Sequence, residues 1–447
     1  MIFRCLACGF DGLEKLPWRS KALPDGTQVW RTSHEICPKC GIEFGRDDWG
    51  GWGSGNVERR SAIHQRWRVR WQKSHSQPRD SSSQNRGEYV NTIALTRGVP
   101  ADESYPLEQL AECAAAVMRD PKLALEAMRY GTGYGFGPLR ELLAAHNAVE
   151  TDQVLIGNGS LSFVDLLGVI LPAGAAVLVE SPTYDRTITL LRRHGVNVIP
   201  VPLENDGVNL ELFRAAVKAH KPVLAYLIAD FQNPSGSTMS LAKRQAVLEL
   251  AATHNFTILE DAPYRPLRYR GEQLPSLFEL NPERVLQMSS YTKQISPGIR
   301  VGILVGGKAW LASFAKAAND TYISGAFLGQ ATAFEFLRRG LLSPQLERLR
   351  ALYAPRLLVM AAALRRNGLN DFLEPDGGFF LSVKLPATSS IADLMARSAG
   401  AGLALTDGRG FFVGPLEGER FLRLPFCALT ELEIEEGVAR LAGLIGG

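Results

Sequence analysis

Ser290, Thr292, Lys293 and Arg300 fall within one short run of the chain, residues 289–300. Two hydroxyls, an amine and a guanidinium at this spacing suit a phosphorylated carbonyl compound. The hydroxyls and the arginine hold the phosphate, while the lysine amine condenses with the carbonyl as a Schiff base. The apolar residues Val285, Leu286 and Met288 lead into the run, and Val301 to Val305 lead out of it. Lys293 is therefore expected in a turn at the edge of a buried sheet, where a charge without a partner is disfavoured.

The elements around this run predict where such chemistry gathers. Residues 154–157, 176–180, 198–201, 224–228 and 256–260 are short apolar segments that read as buried strands. Helical patterns over 162–171, 209–219 and 240–254 separate several of them. Strands alternating with helices at this pitch predict an α/β fold, a mostly parallel sheet with helices on both faces. Ligands in such sheets collect beyond the carboxyl ends of the strands. A long helical stretch from about 308 to 367 then leads into a smaller α+β segment, and no internal repeat is apparent.

Several polar residues follow these strands directly. Gly157 to Leu161 make a strand end that opens into a helix, whose free N–H groups favour an anion. Tyr184 follows Glu180, Ser181, Pro182 and Thr183. Asn233 precedes Pro234, which restricts its backbone and suits a fixed donor. Asp261 ends an apolar strand and would be buried without a partner unless something cationic faces it. Tyr264 lies three residues further on.

In this order, ending at Lys293, the residues from about 90 to 447 resemble a fold-type I pyridoxal phosphate enzyme of the class I/II aminotransferase group. The similarity is to the branch with aminoadipate and kynurenine aminotransferases. It implies that Lys293 carries the Schiff base and the proton shift, that Asp261 faces the pyridine nitrogen, and that Tyr184 stacks on the ring. Ser160, Leu161, Ser290, Thr292 and Arg300 are then the phosphate ligands, and Asn233 and Tyr264 contact the cofactor's 3′-oxygen. Arg423 matches the clamp for the substrate carboxylate, a task suited to a planar guanidinium. Asn233 also borders the substrate, and Gly98 falls in the loop that covers it. Tyr130, in the segment Tyr130 to Arg140, matches a tyrosine that reaches the phosphate of a neighbouring subunit, which implies a homodimer with shared sites.

The N-terminal quarter has a different character. Cys5, Cys8, Cys37 and Cys40 form two C-x-x-C pairs, and six of the seven tryptophans precede residue 75. Thiolates at i and i+3 on two tight turns complete a tetrahedral site, and a short segment needs such a staple. Zinc is expected, although the order of cysteines and glycines also resembles rubredoxin and leaves iron open. The continuation Gly41 to Trp49 is similar to small bacterial cysteine-rich domains, which implies no activity. The reading is thus a zinc-ribbon-like, metal-stapled module over 1–74 and a polar linker over 75–88. A PLP-binding domain with its N-terminal arm follows over 89–345, and a small C-terminal domain over 346–447.

At 447 residues the chain exceeds one ordinary core, and 46% hydrophobic with 21% charged residues is a globular composition. A net charge of +3 favours no class of macromolecular partner. No apolar run is long enough to span a bilayer and the N-terminus lacks the order of a signal peptide, so a cytoplasmic location is expected. The cofactor site is compatible with transamination between an amino acid and a keto acid, which ranks first. It is also compatible with β- or γ-elimination, replacement or cyclisation in a biosynthetic pathway. Residues 1–86 hold 15 Lys and Arg against 9 Asp and Glu. A regulator that fuses this fold to a DNA-binding domain is therefore a third reading, though such regulators carry a winged helix rather than paired cysteines.

Overall fold

The computed structural model describes residues 92–446 except Arg97, Pro415 and Leu416, together with the backbone of four short strands near the N-terminus. The chain divides into two compact units, Met1–Glu88 and Tyr89–Gly447. In the first, β1 (Phe3–Arg4) pairs antiparallel with β2 (Asp11–Leu13), and β3 (Trp18–Ala22) with β4 (Gln28–Thr32). Cys5, Cys8, Cys37 and Cys40, the tryptophan side chains before residue 75 and the linker 75–88 lie outside the described residues. Among the described residues no group of three or more His, Cys, Asp or Glu side chains is placed to hold a metal.

The second unit is built on an eight-stranded sheet. Its strands are β6 (Val154–Asn158), β7 (Ala176–Ser181), β8 (Asn197–Glu204), β9 (Gly207–Val208), β10 (Leu224–Leu227), β11 (Thr257–Asp261), β12 (Val285–Ser290) and β13 (Val301–Val305). They lie in the order β6-β13-β12-β11-β10-β7-β8-β9. The pairs β12/β11, β11/β10, β10/β7 and β7/β8 are parallel, whereas β13 runs antiparallel to both neighbours and β9 closes a hairpin on β8.

Period-two alternation sends Val154 and Ile156 into the core on one face and Leu155 into that on the other. Both faces are covered, which is why these strands read as continuous apolar runs. The helices Leu161–Ile170, Leu210–His220 and Leu241–His254 lie within one or two residues of the expected positions.

The expected helical stretch 308–367 is three helices: Lys308–Tyr322, Phe327–Arg338 and Leu342–Arg366. The first ends at Ile323 (φ 66°) and the second is followed by Gly340 (φ 71°), both in the left-handed region that breaks a helix. A separate core gathers the helix Leu342–Arg366, β14 (Phe380–Lys384), β16 (Phe421–Pro425) and the helix Glu431–Gly446. Into it the chain feeds β5 (Ile93–Leu95), which pairs parallel with β15 (Leu403–Leu405). No described helix is long and apolar enough to cross a membrane.

Candidate active site

A cavity of about 690 Å³ opens beyond the carboxyl ends of β6, β7, β10, β11 and β12. Its lining includes Ser160, Leu161, Tyr184, Asn233, Asp261, Tyr264, Ser290, Thr292, Lys293, Arg300, Gly98 and Arg423. Every residue singled out for the cofactor or substrate is there except Tyr130, whose side chain is 85% exposed on this chain and outside the cavity lining.

One end of the cavity is built for an anion. Gly159 (φ 84°) turns the chain from β6 into the helix Leu161–Ile170, whose first N–H groups have no partner within the helix. Arg300, in the left-handed region at φ 52°, donates from Nη2 to the carbonyl of Asn158 at 2.7 Å. Ser290 Oγ lies 2.7 Å from Thr292 Oγ1 and 3.0 Å from the Val301 carbonyl. On the facing strand, a Cβ at Gly302 would stand 2.5 Å from Ser160 N. The absence of a side chain there lets the two backbones close into a cradle.

The middle of the cavity holds a buried acid. Tyr226, on the neighbouring strand, donates its hydroxyl to Asp261 Oδ2 at 2.5 Å. Oδ1 is buried with no hydrogen-bond partner. Burial pushes the Asp261 carboxyl up to about 7 against the pull of the Tyr226 hydroxyl, and nearby Glu260 adds to the rise. A protonated ring nitrogen would supply the missing partner of Oδ1 and favour the ionised acid. By this test the pocket fits pyridoxal phosphate. Tyr184 follows β7 and is half-buried on the cavity wall, and Tyr264 packs against Phe379 and Phe380 with centroids 5.6 and 5.8 Å apart.

The remaining wall carries two cations. Lys293 Nζ donates to the Gly98 carbonyl at 2.5 Å and stands 5.3 Å over the Phe379 ring. Burial brings its amine down to about 8, with Cys427 opposing the shift and Arg423 reinforcing it. Arg423, on β16, lies between Phe380 and Phe411, whose centroids are 4.5 and 4.6 Å from its Cζ. It donates to Asn233 Oδ1 at 3.1 Å and to the Thr96 carbonyl at 2.6 Å, and its buried Nε is unpartnered. Burial also holds this guanidinium below its usual range.

Sequence reasoning passed over Tyr226, Thr96, Phe380, Phe411 and Arg186. Tyr226 left a usable signal: a phenol inside a fully buried strand has to find a hydrogen-bond partner. Thr96 acts through its carbonyl, which no residue type reveals.

Residues 91–441 match the family described as aminotransferase class I and II. The chain is 33% identical over 362 residues to a 2-aminoadipate transaminase of Thermus thermophilus, covering 79% of this chain and 90% of that one. It is 29% identical over 374 residues to aromatic-amino-acid aminotransferase 1 of Thermococcus litoralis, covering 80% and 89%. The crystal structure of the Thermus thermophilus α-aminoadipate aminotransferase complexed with N-(5′-phosphopyridoxyl)-L-leucine has a similar fold. There the TM-score is 0.75 at 33% identity, over 80% of this chain and 92% of that chain.

Proposed function

This chain belongs to the class I and II aminotransferases and is a pyridoxal phosphate-dependent transferase, and from that premise we propose how its own residues carry the reaction. The observation that bears most weight is the sharing of one cavity by an amine lowered to about 8, a buried acid with a free oxygen and an aromatic-flanked arginine. Bound there, pyridoxal phosphate supplies an electron sink for the substrate α-carbon and a carbon that takes up the amino group.

Arg423 binds the α-carboxylate of an amino acid, exchanging its contact with the Thr96 carbonyl for the substrate. With the cofactor bound, the free amine of Lys293 would take up the proton of the substrate α-carbon and hold it for return. An amine near neutrality in its free form is suited to both steps. Asp261 would hold the ring nitrogen protonated, Tyr184 would keep the ring plane, and Asn233 and Tyr264 would hold the 3′-oxygen. Ser160, Leu161, Ser290, Thr292 and Arg300 would retain the phosphate.

The substrate proposed is an α-amino acid with a long or carboxylate-ended side chain, in line with the 2-aminoadipate transaminase among the relatives. Arg186 supports this choice. It lines the cavity, is largely exposed, and among the described residues its one ion pair is with its neighbour Asp185 at 3.8 Å. A homodimer with Tyr130 reaching the second site completes the reading. Leu125, Met128, Tyr130, Ile323 and Leu328 are all exposed and apolar on the single chain, which supports an interface. We further propose a four-thiolate zinc site at Cys5, Cys8, Cys37 and Cys40, with iron as the alternative occupant, a biosynthetic role, and a cytoplasmic location.

The test is a two-half assay of the holoenzyme. Amino acids with acidic, aromatic and aliphatic side chains should change the cofactor's visible absorbance and release the matching keto acid. A second keto acid should restore the spectrum, and Lys293→Ala should abolish both changes. Ammonia released in step with the amino acid consumed would overturn transamination in favour of elimination.

A further inference from the structure

Glu180 is the penultimate residue of β7 and only 1% exposed, yet the chemistry above gives it no part. Its carboxylate is fully engaged. Oε1 accepts from the Ile228 N–H at 3.2 Å and Oε2 from Gln232 Nε2 at 2.9 Å. Gln232 is in turn the hub of the turn that follows. Its Oε1 accepts from both the N–H and the hydroxyl of Ser235, at 2.9 and 2.8 Å. Its main chain closes the turn from Gln232 N to the Ser237 carbonyl at 2.9 Å and from Gly236 N to its own carbonyl at 2.7 Å. Nε2 also donates to the Pro182 carbonyl at 2.8 Å.

Two loops are therefore tied through one contact. The Pro182 carbonyl lies two residues before Tyr184, and Gln232 immediately precedes Asn233, whose Oδ1 receives Arg423 at 3.1 Å. We propose that Glu180 is a positioning residue, acting through Gln232 to set the spacing between the loops that carry Tyr184 and Asn233. It thereby places both the ring clamp and the partner of the substrate-binding arginine. The geometry is specific to a carboxylate facing an amide. An amide at position 180 would still accept from Ile228 N–H, but its own NH₂ would meet that of Gln232. A buried donor pair of this kind cannot be satisfied by reorientation, because the Gln232 oxygen is already committed to Ser235.

The inference rests on the aminotransferase reading, and the experiment separates the two. Wild type, Glu180→Gln, Gln232→Glu and the swapped double variant are compared as holoenzymes. Steady-state kinetics are measured with the best amino acid. In the cofactor-free proteins, backbone hydrogen exchange over residues 228–237 and the dissociation constant for pyridoxal phosphate are measured. Glu180→Gln should lower kcat/KM on the order of 10- to 100-fold, the range for leaving a buried donor without its acceptor. It should also raise KM, accelerate exchange at Ser235 and Gly236 and weaken cofactor binding. The swap returns one donor opposite one acceptor between positions 180 and 232 but sets a carboxylate oxygen against the Pro182 carbonyl, so it should recover the exchange protection at Ser235 and Gly236 while cofactor affinity stays weakened.

A merely structural Glu180 would lower the folded yield while leaving KM, exchange and cofactor affinity of the folded fraction at wild-type values, and that result would overturn the proposal. Exchange at Ser235 and Gly236 in the swap as fast as in Glu180→Gln would overturn it too. If Glu180→Gln does not fold, Gln232→Glu alone carries the same exchange and affinity tests. Failure of the wild type to transaminate any amino acid would instead sink the underlying reading.

Discussion

The free-amine chemistry of Lys293 can be tested without any substrate. Its amine is lowered from 10.5 to about 8, chiefly by burial, with Arg423 nearby pushing the same way. A shift of that size corresponds to roughly 3 kcal/mol of disfavoured charging. At pH 7.5 about a quarter of the Lys293 amines are then unprotonated, against about one in a thousand for an unperturbed lysine. A less basic amine is a weaker nucleophile, so the net reactivity gain is smaller, on the order of tenfold or more.

The assay is graded labelling of the cofactor-free protein with a small amine-reactive reagent between pH 6.5 and 10.5, quantified peptide by peptide. Surface lysines such as Lys221 serve as the internal reference. Lys293 should label first, with a midpoint near 8, and Arg423→Gln should move that midpoint upward by removing a like charge. The linkage has a definite sign. The unfolded chain holds more protons at this lysine between about 8 and 10.5, so the cofactor-free protein gains stability from it as pH rises across that window. Lys293→Met should lack that gain. Labelling of Lys293 in step with Lys221, or a midpoint unmoved in Arg423→Gln, would refute the claim that burial and Arg423 set its reactivity.

Three substitutions probe the rest of the pocket. Tyr226→Phe removes the 2.5 Å bond to Asp261 Oδ2, so the acid should ionise above about 7 by a further one or two units. The acid limb of cofactor binding, followed by fluorescence, should move to higher pH by the same amount. Arg423→Lys loses the planar contacts with Phe380 and Phe411. It should raise KM for the amino acid at least about tenfold while leaving the cofactor spectrum unchanged. Gly302→Ala sets a methyl 2.5 Å from Ser160 N, which should weaken pyridoxal phosphate binding by roughly tenfold or more in an equilibrium titration.

What could be read in advance follows from where each residue sits relative to a strand. Lys293, Asp261, Asn233 and Tyr184 each end or follow a short apolar run, so the pattern of the sheet alone brings them to one edge. Tyr226 sits inside such a run and was read only as strand. The phosphate cradle was legible as a glycine turn at Gly157 to Leu161, but the role of Gly302 was not. It depends on the antiparallel register that sets Gly302 opposite Gly157, and local sequence carries no trace of that pairing. The helical stretch after residue 308 was read as one because its breaks fall at Ile323 and Arg339-Gly340, residues that give only a weak stop signal against a strong apolar period.

The segment around Gly98 shows why a family likeness and a physical reading are both needed. Strand β5 is three residues long and would be negligible alone, but its pairing with β15 fixes the chain that follows it. The Thr96 carbonyl then receives both Arg423 Nη2 at 2.6 Å and Thr406 Oγ1 at 2.7 Å, and the Gly98 carbonyl receives Lys293. Beyond it, Gln345 and Arg348 hold the Ser104 carbonyl and Arg356 pairs with Glu103. Two carbonyls of one short strap thus occupy the two cations that the proposed reaction assigns to the substrate and the cofactor. Glycine is required at position 98 because a Cβ there would stand 2.0 Å from the Phe380 ring, the same ring that flanks Arg423. A likeness to known enzymes marks Gly98 as part of a covering loop. The packing adds that its contacts with Arg423 and Lys293 are made by backbone carbonyls, which any amino acid sequence could offer and this register aligns.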